Sequence, residues 1–382
     1  MKPKLRFNDF DDEWNKVKIS SIVQESKIKT GNTEKYPLWS LTIENGVTPK
    51  TDRYERSFLV KKDDNYKIVE PNNYVYNPMN AHLGAIARNK SNTTISVSGY
   101  YDIFKINNKN YSFYDNYFVS PVMFKQYKLI STGSLLEKQR VHYSQFKELE
   151  INLPTNKEQV KISNFLSLLD KKMELQKKKI EDLKLFKKGL NKYIFRNNCC
   201  NYQLKELLIE YNNKTTNNNE YEILSSTADG IVLQSEYFNK QAASQDTTGY
   251  KVVPRGYITY RSMSDTGEFH FNEQKIVDFG IVSPAYPVFE INEKIVNKNY
   301  ILYYMNENKD FSNQILSTKE GGTRFALSFT KLLSLSVKLP NEEEQENFSK
   351  ILYSIDKKII FENDKLIKLN ELKKGLMQNM FV

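Results

Sequence analysis

Cysteine is almost missing from this chain. Its 382 residues hold two, and these are neighbours, Cys199-Cys200, so neither a disulfide framework nor a thiolate metal set can be assembled. Histidine is as scarce: His82, His142 and His270 stand singly, without ligand spacing, and no metal site is expected. No apolar run reaches the eighteen residues of a membrane span, and mean hydropathy is -0.62, which excludes a spanning helix. The opening MKPKLRFNDFDDEW has basic residues but no apolar stretch after them. A secretory leader is therefore not expected, and the expected location is the cytoplasm. The phosphate-cradling G-x-x-x-x-G-K-[ST] loop, G-x-G-x-x-G, H-E-x-x-H and G-x-S-x-G are all absent, which removes the usual signatures of nucleotide, metal and acyl-transfer chemistry. Asn77-Pro78-Met79-Asn80 lacks the second proline and the aromatic of an amino-methyltransferase loop. No catalytic residue is nominated; the chain reads as a binder.

What is present is enough for real cores. Hydrophobic residues make up 39% and aromatics 13%, so disorder is excluded and more than one domain is expected. Lys plus Arg outnumber Asp plus Glu by 56 to 46, a balance that draws a protein to polyanions. The excess is uneven. Residues 1–153 are net +6 and residues 154–198 net +7, whereas 199–339 are net -2 and 340–382 net -1. A polyanion bound by the second half would need a local basic loop or charge from a partner.

The chain also repeats itself. Residues 153–195 and 339–381 align without a gap at an offset of 186: Leu153-Pro154, Glu158-Gln159, Asp170-Lys171-Lys172, Lys187-Lys188-Gly189-Leu190 and Phe195 recur as Leu339-Pro340, Glu344-Gln345, Asp356-Lys357-Lys358, Lys373-Lys374-Gly375-Leu376 and Phe381. Fainter echoes link Tyr66 to Val69 with Tyr250 to Val253, Tyr74-Val75 with Tyr257-Ile258, and the stretch from Val97 to Phe104 with that from Val282 to Phe289. The order is globule, helix, globule, helix: 1–153, 154–198, 199–339 and 340–382.

Each repeated segment predicts one long helix after a proline. Thr155 with Glu158, and Asn341 with Glu344, have capping-box spacing. About 38 residues at about 1.5 Å each make a rod on the order of 55 Å. Gly189 and Gly375 lower helix stability by roughly 1 kcal/mol each relative to alanine, which suggests close packing or a fraying last turn. The apolar steps alternate four and three, a heptad seam. It runs Ile162, Leu166, Leu169, Met173, Gln176, Ile180, Leu183, Lys187, Leu190, Ile194 in the first copy. In the second it runs Phe348, Leu352, Ile355, Ile359, Glu362, Leu366, Leu369, Lys373, Leu376, Met380. The polar members are either slack in an amphipathic helix or layers that fix register. A tandem repeat folded back on itself gives antiparallel helices and a pseudo-two-fold.

The globules read as mixed α and β. Strands are expected within Tyr36 to Ile43, Tyr74 to Tyr76, Thr94 to Ile106, Tyr221 to Leu224, Tyr257 to Tyr260 and Ile276 to Ile291. Helices are expected over Tyr111 to Tyr127, broken at Pro121, and over Asn299 to Leu316. Loops at 77–94, 131–134, 212–219, 244–249 and 261–268 are rich in Gly, Asn and Ser. Some mix cations with aromatics and amides, the groups that read base edges and phosphates. The candidate DNA contacts are Tyr76, Asn77, Arg88, Lys90, Lys138 and Arg140 in the first globule, and Tyr260, Arg261, Ser262, Thr323 and Arg324 in the second. Lys138 and Arg324 fall on the same 186 offset.

Taken with Leu5-Arg6-Phe7 to Trp14, Tyr74-Val75-Tyr76-Asn77-Pro78, the run from Gly280 to Phe289 and the two Leu-Pro…Glu-Gln helices ending Lys-Lys-Gly-Leu, the chain resembles the specificity subunits of type I restriction-modification systems along nearly its whole length. The resemblance implies an α+β fold: two α/β target-recognition domains joined by two long helices in an antiparallel coiled coil. Each domain would read half of a bipartite site in double-stranded DNA, with the coil as ruler between them. The subunit itself would be non-catalytic. It would dock two methyltransferase subunits carrying S-adenosylmethionine, and two restriction subunits in the full complex, with ATP and Mg on the partners. The competing reading is a coiled-coil adaptor that binds proteins rather than DNA.

Overall fold

A computed structural model describes residues 1–50, 66–132, 139–196, 200–237, 246–317 and 324–382. The chain divides into two units, one of 1–178 with 364–382 and the other of 179–363. Each unit thus holds one globule, part of the central helix Asn156–Ile194 and part of the C-terminal helix Glu342–Met380.

In the first unit, Asn15–Lys18 pairs antiparallel with Glu150–Leu153, the strand that runs into the central helix. An antiparallel sheet follows the order Val23–Ser26, Asp102–Ile106, Tyr74–Tyr76, Ile86–Arg88. A second has the order Lys29–Thr30, Tyr66–Val69, Ile95–Val97. Pro121 breaks the expected helix: Tyr111–Tyr117 ends, and Pro121–Ile130 restarts with Ser120 Oγ accepting from the Met123 amide. The core is aromatic, with Tyr74, Tyr76, Phe104, Phe113, Tyr117 and Phe146 packed with Ile162, Leu166, Met377, Met380 and Phe381 of the two helices.

The second unit repeats this plan. Cys200–Gln203 pairs with Ser336–Leu339. A sheet of order Leu208–Glu210, Val288–Ile291, Ile258–Thr259, Asn272–Glu273 stands for the first unit's four-stranded sheet, strand for strand. The other sheet is remodelled: Lys251–Pro254 and Phe279–Val282 persist, but Glu222–Thr227 joins parallel to the latter and forms a hairpin with Gly230–Leu233. The expected helix over Asn299 to Leu316 is two, Lys298–Glu307 and Lys309–Ser317. The Asn308 side chain accepts from the Phe311 amide and opens the second of them.

The seam residues of both long helices are all buried or half-buried. In the first unit Leu166 shares a cluster with Met377, and Asp170 pairs with Lys373 at 2.5 Å. In the second, Lys179 meets Glu362 at 2.7 Å and Lys187 meets Asp356 at 2.6 Å. Advancing along one helix retreats along the other, so the segments run antiparallel in each unit. The pairs Asp170–Lys373 and Asp356–Lys187 are related by the repeat. Burial works against the Lys187 charge, but its hydrogen bonds to Asp356 and Glu307 outweigh that and keep its pKa above the ordinary lysine value.

Two expectations about the helices need correction. The capping box at the central helix is only half made: Thr155 Oγ1 accepts from the Glu158 amide, but the Glu158 carboxylate, almost wholly buried, accepts from Arg6 Nε and Nη2 at 2.8 Å instead. A buried carboxylate gains more from a cation than from a backbone amide. Gly189 and Gly375 are not close-packing sites, since a methyl group at either would meet nothing within 4 Å. The residue that closes each helix start is the repeated glutamine. Gln159 Nε2 donates to the Pro154 carbonyl at 3.0 Å and Gln345 Nε2 to the Pro340 carbonyl at 2.9 Å.

Candidate nucleic-acid interface

Three candidates are committed to the fold rather than to a ligand. Tyr76 and Tyr260 are wholly buried, so neither can stack on a base; large aromatic rings at strand ends satisfy the core first. Arg88 lies in a strand, not in a loop, and is half-buried. Its guanidinium holds Asp115 through Nη2 at 2.9 Å and Nε at 3.1 Å, reaches Asn72 Oδ1 at 2.5 Å, and lies over the Tyr111 ring. Tyr74 also donates to Asp115 at 2.8 Å. Burial disfavours the Arg88 charge, yet Asp115 more than offsets it and the pKa is raised. This network fastens the helix Tyr111–Tyr117 to the sheet.

The remaining candidates face outward or frame a turn. Lys90 is exposed and only grazes Asp115 at 3.4 Å. Arg140 is exposed at a backbone bridge with Thr132. Asn77 turns its side-chain oxygen back onto the Met79 amide at 3.0 Å, an Asx turn that opens the following loop. In the second unit Arg261 is exposed and Ser262 half-buried. Arg324 pairs with Asp265 at 2.8 Å, both well exposed, an interaction weak enough to be exchanged for a ligand's. Lys138 and Thr323 lie outside the described residues.

Each unit has a polar cleft beside these groups. In the first, a cavity of about 780 Å³ is bordered by the turn from Thr42 to Val47, by the cations Arg88, Lys90, Lys171 and Lys373, and by the carboxylates Glu44, Asp115, Asp170 and Glu174. In the second, a cleft of about 250 Å³ is lined by Arg261 and His270, by the hydroxyls of Ser226, Thr227, Ser264 and Thr266, and by the carboxylates of Asp265 and Glu268. Asn272 donates to Ser226 Oγ at 2.8 Å and so orients that hydroxyl. Hydroxyls, an imidazole and a guanidinium together offer donors and acceptors in the mixture that base edges require. The sequence reading missed the four hydroxyl side chains. Ser264 and Thr266 lie in the loop 261–268 that the composition marks, and Ser226 and Thr227 had only the run Ser225-Ser226-Thr227, which fits an ordinary strand equally well. Among the described residues no cluster of three His, Cys, Asp or Glu side chains could hold a metal, and no helix is long and apolar enough to cross a membrane.

Solved structures share this architecture. The type I restriction-modification S subunit from M. genitalium is 16% identical and superposes with a TM-score of 0.57, covering 100% of this chain and 99% of its own. A structure described as showing complex assembly and conformational transition of the type I R-M system is 14% identical, with a TM-score of 0.60 over 97% of this chain and 98% of that one. At such identities the likeness is one of fold. The family is shown by the sequence itself: the family model described as type I restriction modification DNA specificity domain matches residues 11–185 and again 192–371, and the chain belongs to that family.

Proposed function

We propose that the chain is the DNA-reading subunit of a type I restriction-modification complex. Each globule reads one half of a bipartite site in double-stranded DNA, and the paired helices set the spacer. The observation that carries this reading is one scaffold used twice with different surfaces. The four-stranded sheets match in order, while the clefts beside them differ in size and in side chains. Two unlike readers on one frame suit a site with two unlike halves.

The helices also offer a docking face. In the first unit Leu168 and Leu175 are exposed, off the seam and by helical spacing within about 20° of each other, and in the second unit Phe186 and Tyr193 are so placed as well. The repeat-related Phe361 and Leu372 are exposed as well. Leu175 and Phe186 recur as Phe361 and Leu372, whereas Leu168 and Tyr193 fall on Ser354 and Asn379; the exposed apolar pair that recurs supports two equivalent partners, the methyltransferase subunits, with S-adenosylmethionine bound there and not on this chain. Restriction subunits would join in the full complex, bringing ATP and Mg chemistry.

Because residues 199–339 are net -2, the second globule would lean on partner charge for its phosphate contacts. The subunit alone is expected to bind DNA more weakly than the assembled complex does. Mapping modified adenines in cells with and without the gene tests the whole reading. Two half-sites at a fixed spacing that vanish with the gene would support it. An unchanged adenine pattern would favour a protein-binding adaptor.

A further inference from the structure

The two tyrosines that sequence reading placed on DNA are tied to the loops that carry the exposed arginines. Tyr76 packs against Phe146 with ring centroids 4.8 Å apart, and its hydroxyl donates to the Val141 carbonyl at 2.7 Å. The Val141 amide donates to the Pro78 carbonyl at 2.9 Å. In the second unit Tyr260 packs against Phe271 at 4.9 Å and its hydroxyl donates to the Leu327 carbonyl at 3.1 Å. The Leu327 amide donates to the Ser262 carbonyl at 2.9 Å.

The two arrangements are the same clasp. A tyrosine hydroxyl and the carbonyl two residues after it grip the carbonyl and the amide of one buried residue. The gripped residues, Val141 and Leu327, stand 186 apart, the offset of the helical repeat, and both are wholly buried. Arg140 directly precedes one of them and Arg324 lies three residues before the other; both are exposed. The same hydrogen bonds recur in two globules whose other surfaces have diverged. Core packing alone would be satisfied by phenylalanine, because the ring contacts do not use the hydroxyl. Burial pushes both phenols well above their usual range, so each stays a donor at any working pH.

We propose that Tyr76 and Tyr260 are positioning residues for DNA reading, each fixing the arginine-bearing loop of its own globule and so setting the base discrimination of one half-site. This rests on the DNA-reading function proposed above. Neither tyrosine touches DNA; each acts through Arg140 or Arg324. An arginine that reads a guanine edge must be aimed, since a bidentate contact tolerates little displacement.

The test uses the assembled methyltransferase complex and a library of duplexes varied at every position of both half-sites. Y76F should lower discrimination at one half-site by about tenfold, the worth of one hydrogen bond, and leave the other unchanged. Y260F should do the converse. R140A should relax the half-site relaxed by Y76F, and the double variant should be no more relaxed than R140A alone. Two controls remove a phenol from the same cores without touching the loops: Y74F, whose hydroxyl serves Asp115, and Y304F, whose hydroxyl accepts from the Lys338 amide. They should lower Tm and leave both half-sites as strict as before. Y76F or Y260F with unaltered discrimination, or controls that relax the half-sites equally, would overturn the proposal. The two globules give independent tests, so failure of one variant to assemble leaves the other to decide. A bipartite wild type with unchanged variants would sink this proposal alone, whereas a wild type without bipartite specificity would sink the DNA-reading function with it.

Discussion

Arg88 and Lys90 stand two positions apart and meet the same carboxylate, Asp115, yet their roles diverge because one is half-buried and the other is mostly in water. Removing the Arg88 side chain takes from Asp115 its two-pronged partner in a site it shares with Tyr74. R88A should therefore lower stability on the order of 3 kcal/mol, as for a broken buried pair, seen as a shift of the urea midpoint. K90A should change stability by less than about 0.5 kcal/mol. It should instead weaken DNA binding by the complex, reducing the slope of log affinity against log salt by about one. Equal loss of stability in the two variants would contradict this division. The sequence displayed both as cations beside aromatics and amides, which is as far as residue types can go. Whether such a residue faces a base or a buried aspartate depends on partners far away in the chain. For Arg88 that partner is 27 residues off; for Tyr76 it is 65 residues off.

Among the elements, the long helices were the most legible, since a four-three alternation kept over ten positions leaves few alternatives. Their ends were less so, because a capping box in sequence only becomes one when no stronger partner exists, and Arg6 is such a partner for Glu158. Each helix finishes on a repeat-related phenylalanine set edge-on between two aromatics of a short helix: Phe381 on Phe113 and Tyr117, Phe195 on Tyr300 and Tyr304. Phe381 is almost wholly buried, so F381A should cost about 3–5 kcal/mol, with hydrogen exchange rising first in the first unit. Exchange rising only in the second unit would show that Phe381 is not what closes the first. The glycines offer the opposite sign. With open space around both, G189A and G375A should each stabilise the fold by about 0.5–1 kcal/mol, read as a higher Tm; a lower one would mean that a partner needs that gap. The short strands of the second sheet were hardest to read. Glu222–Thr227 pairs parallel with a strand more than fifty residues later, and alternation along a chain does not encode such a pairing.

At the level of the molecule, the repeat made the division into two similar halves readable, while charge made them unequal. The first unit holds 33 basic and 22 acidic residues, net +11, and the second 23 and 24, net -1. Like plans with unlike fields are what two readers sharing one set of partners would show, and they sharpen the question of what fixes the spacer. If the helices are the ruler, one heptad added to each should lengthen it. Seven residues make two turns at 3.5 per turn, so the seam stays in phase, and they add about 10.5 Å at 1.5 Å each. Duplex DNA rises about 3.4 Å per base pair, so the spacer should grow by up to about three pairs. Those pairs also turn the duplex by roughly 100° at 10–10.5 pairs per turn. A smaller gain would therefore be the compromise between rise and phase. Both half-sites should stay unaltered, because no loop has been touched. Mapping adenine methylation for the lengthened chain reads half-sites and spacer together. Five added residues serve as the contrasting case, since they turn the seam to solvent and should abolish modification altogether. A changed half-site beside an unchanged spacer would take the ruler away from the helices and return it to the globules.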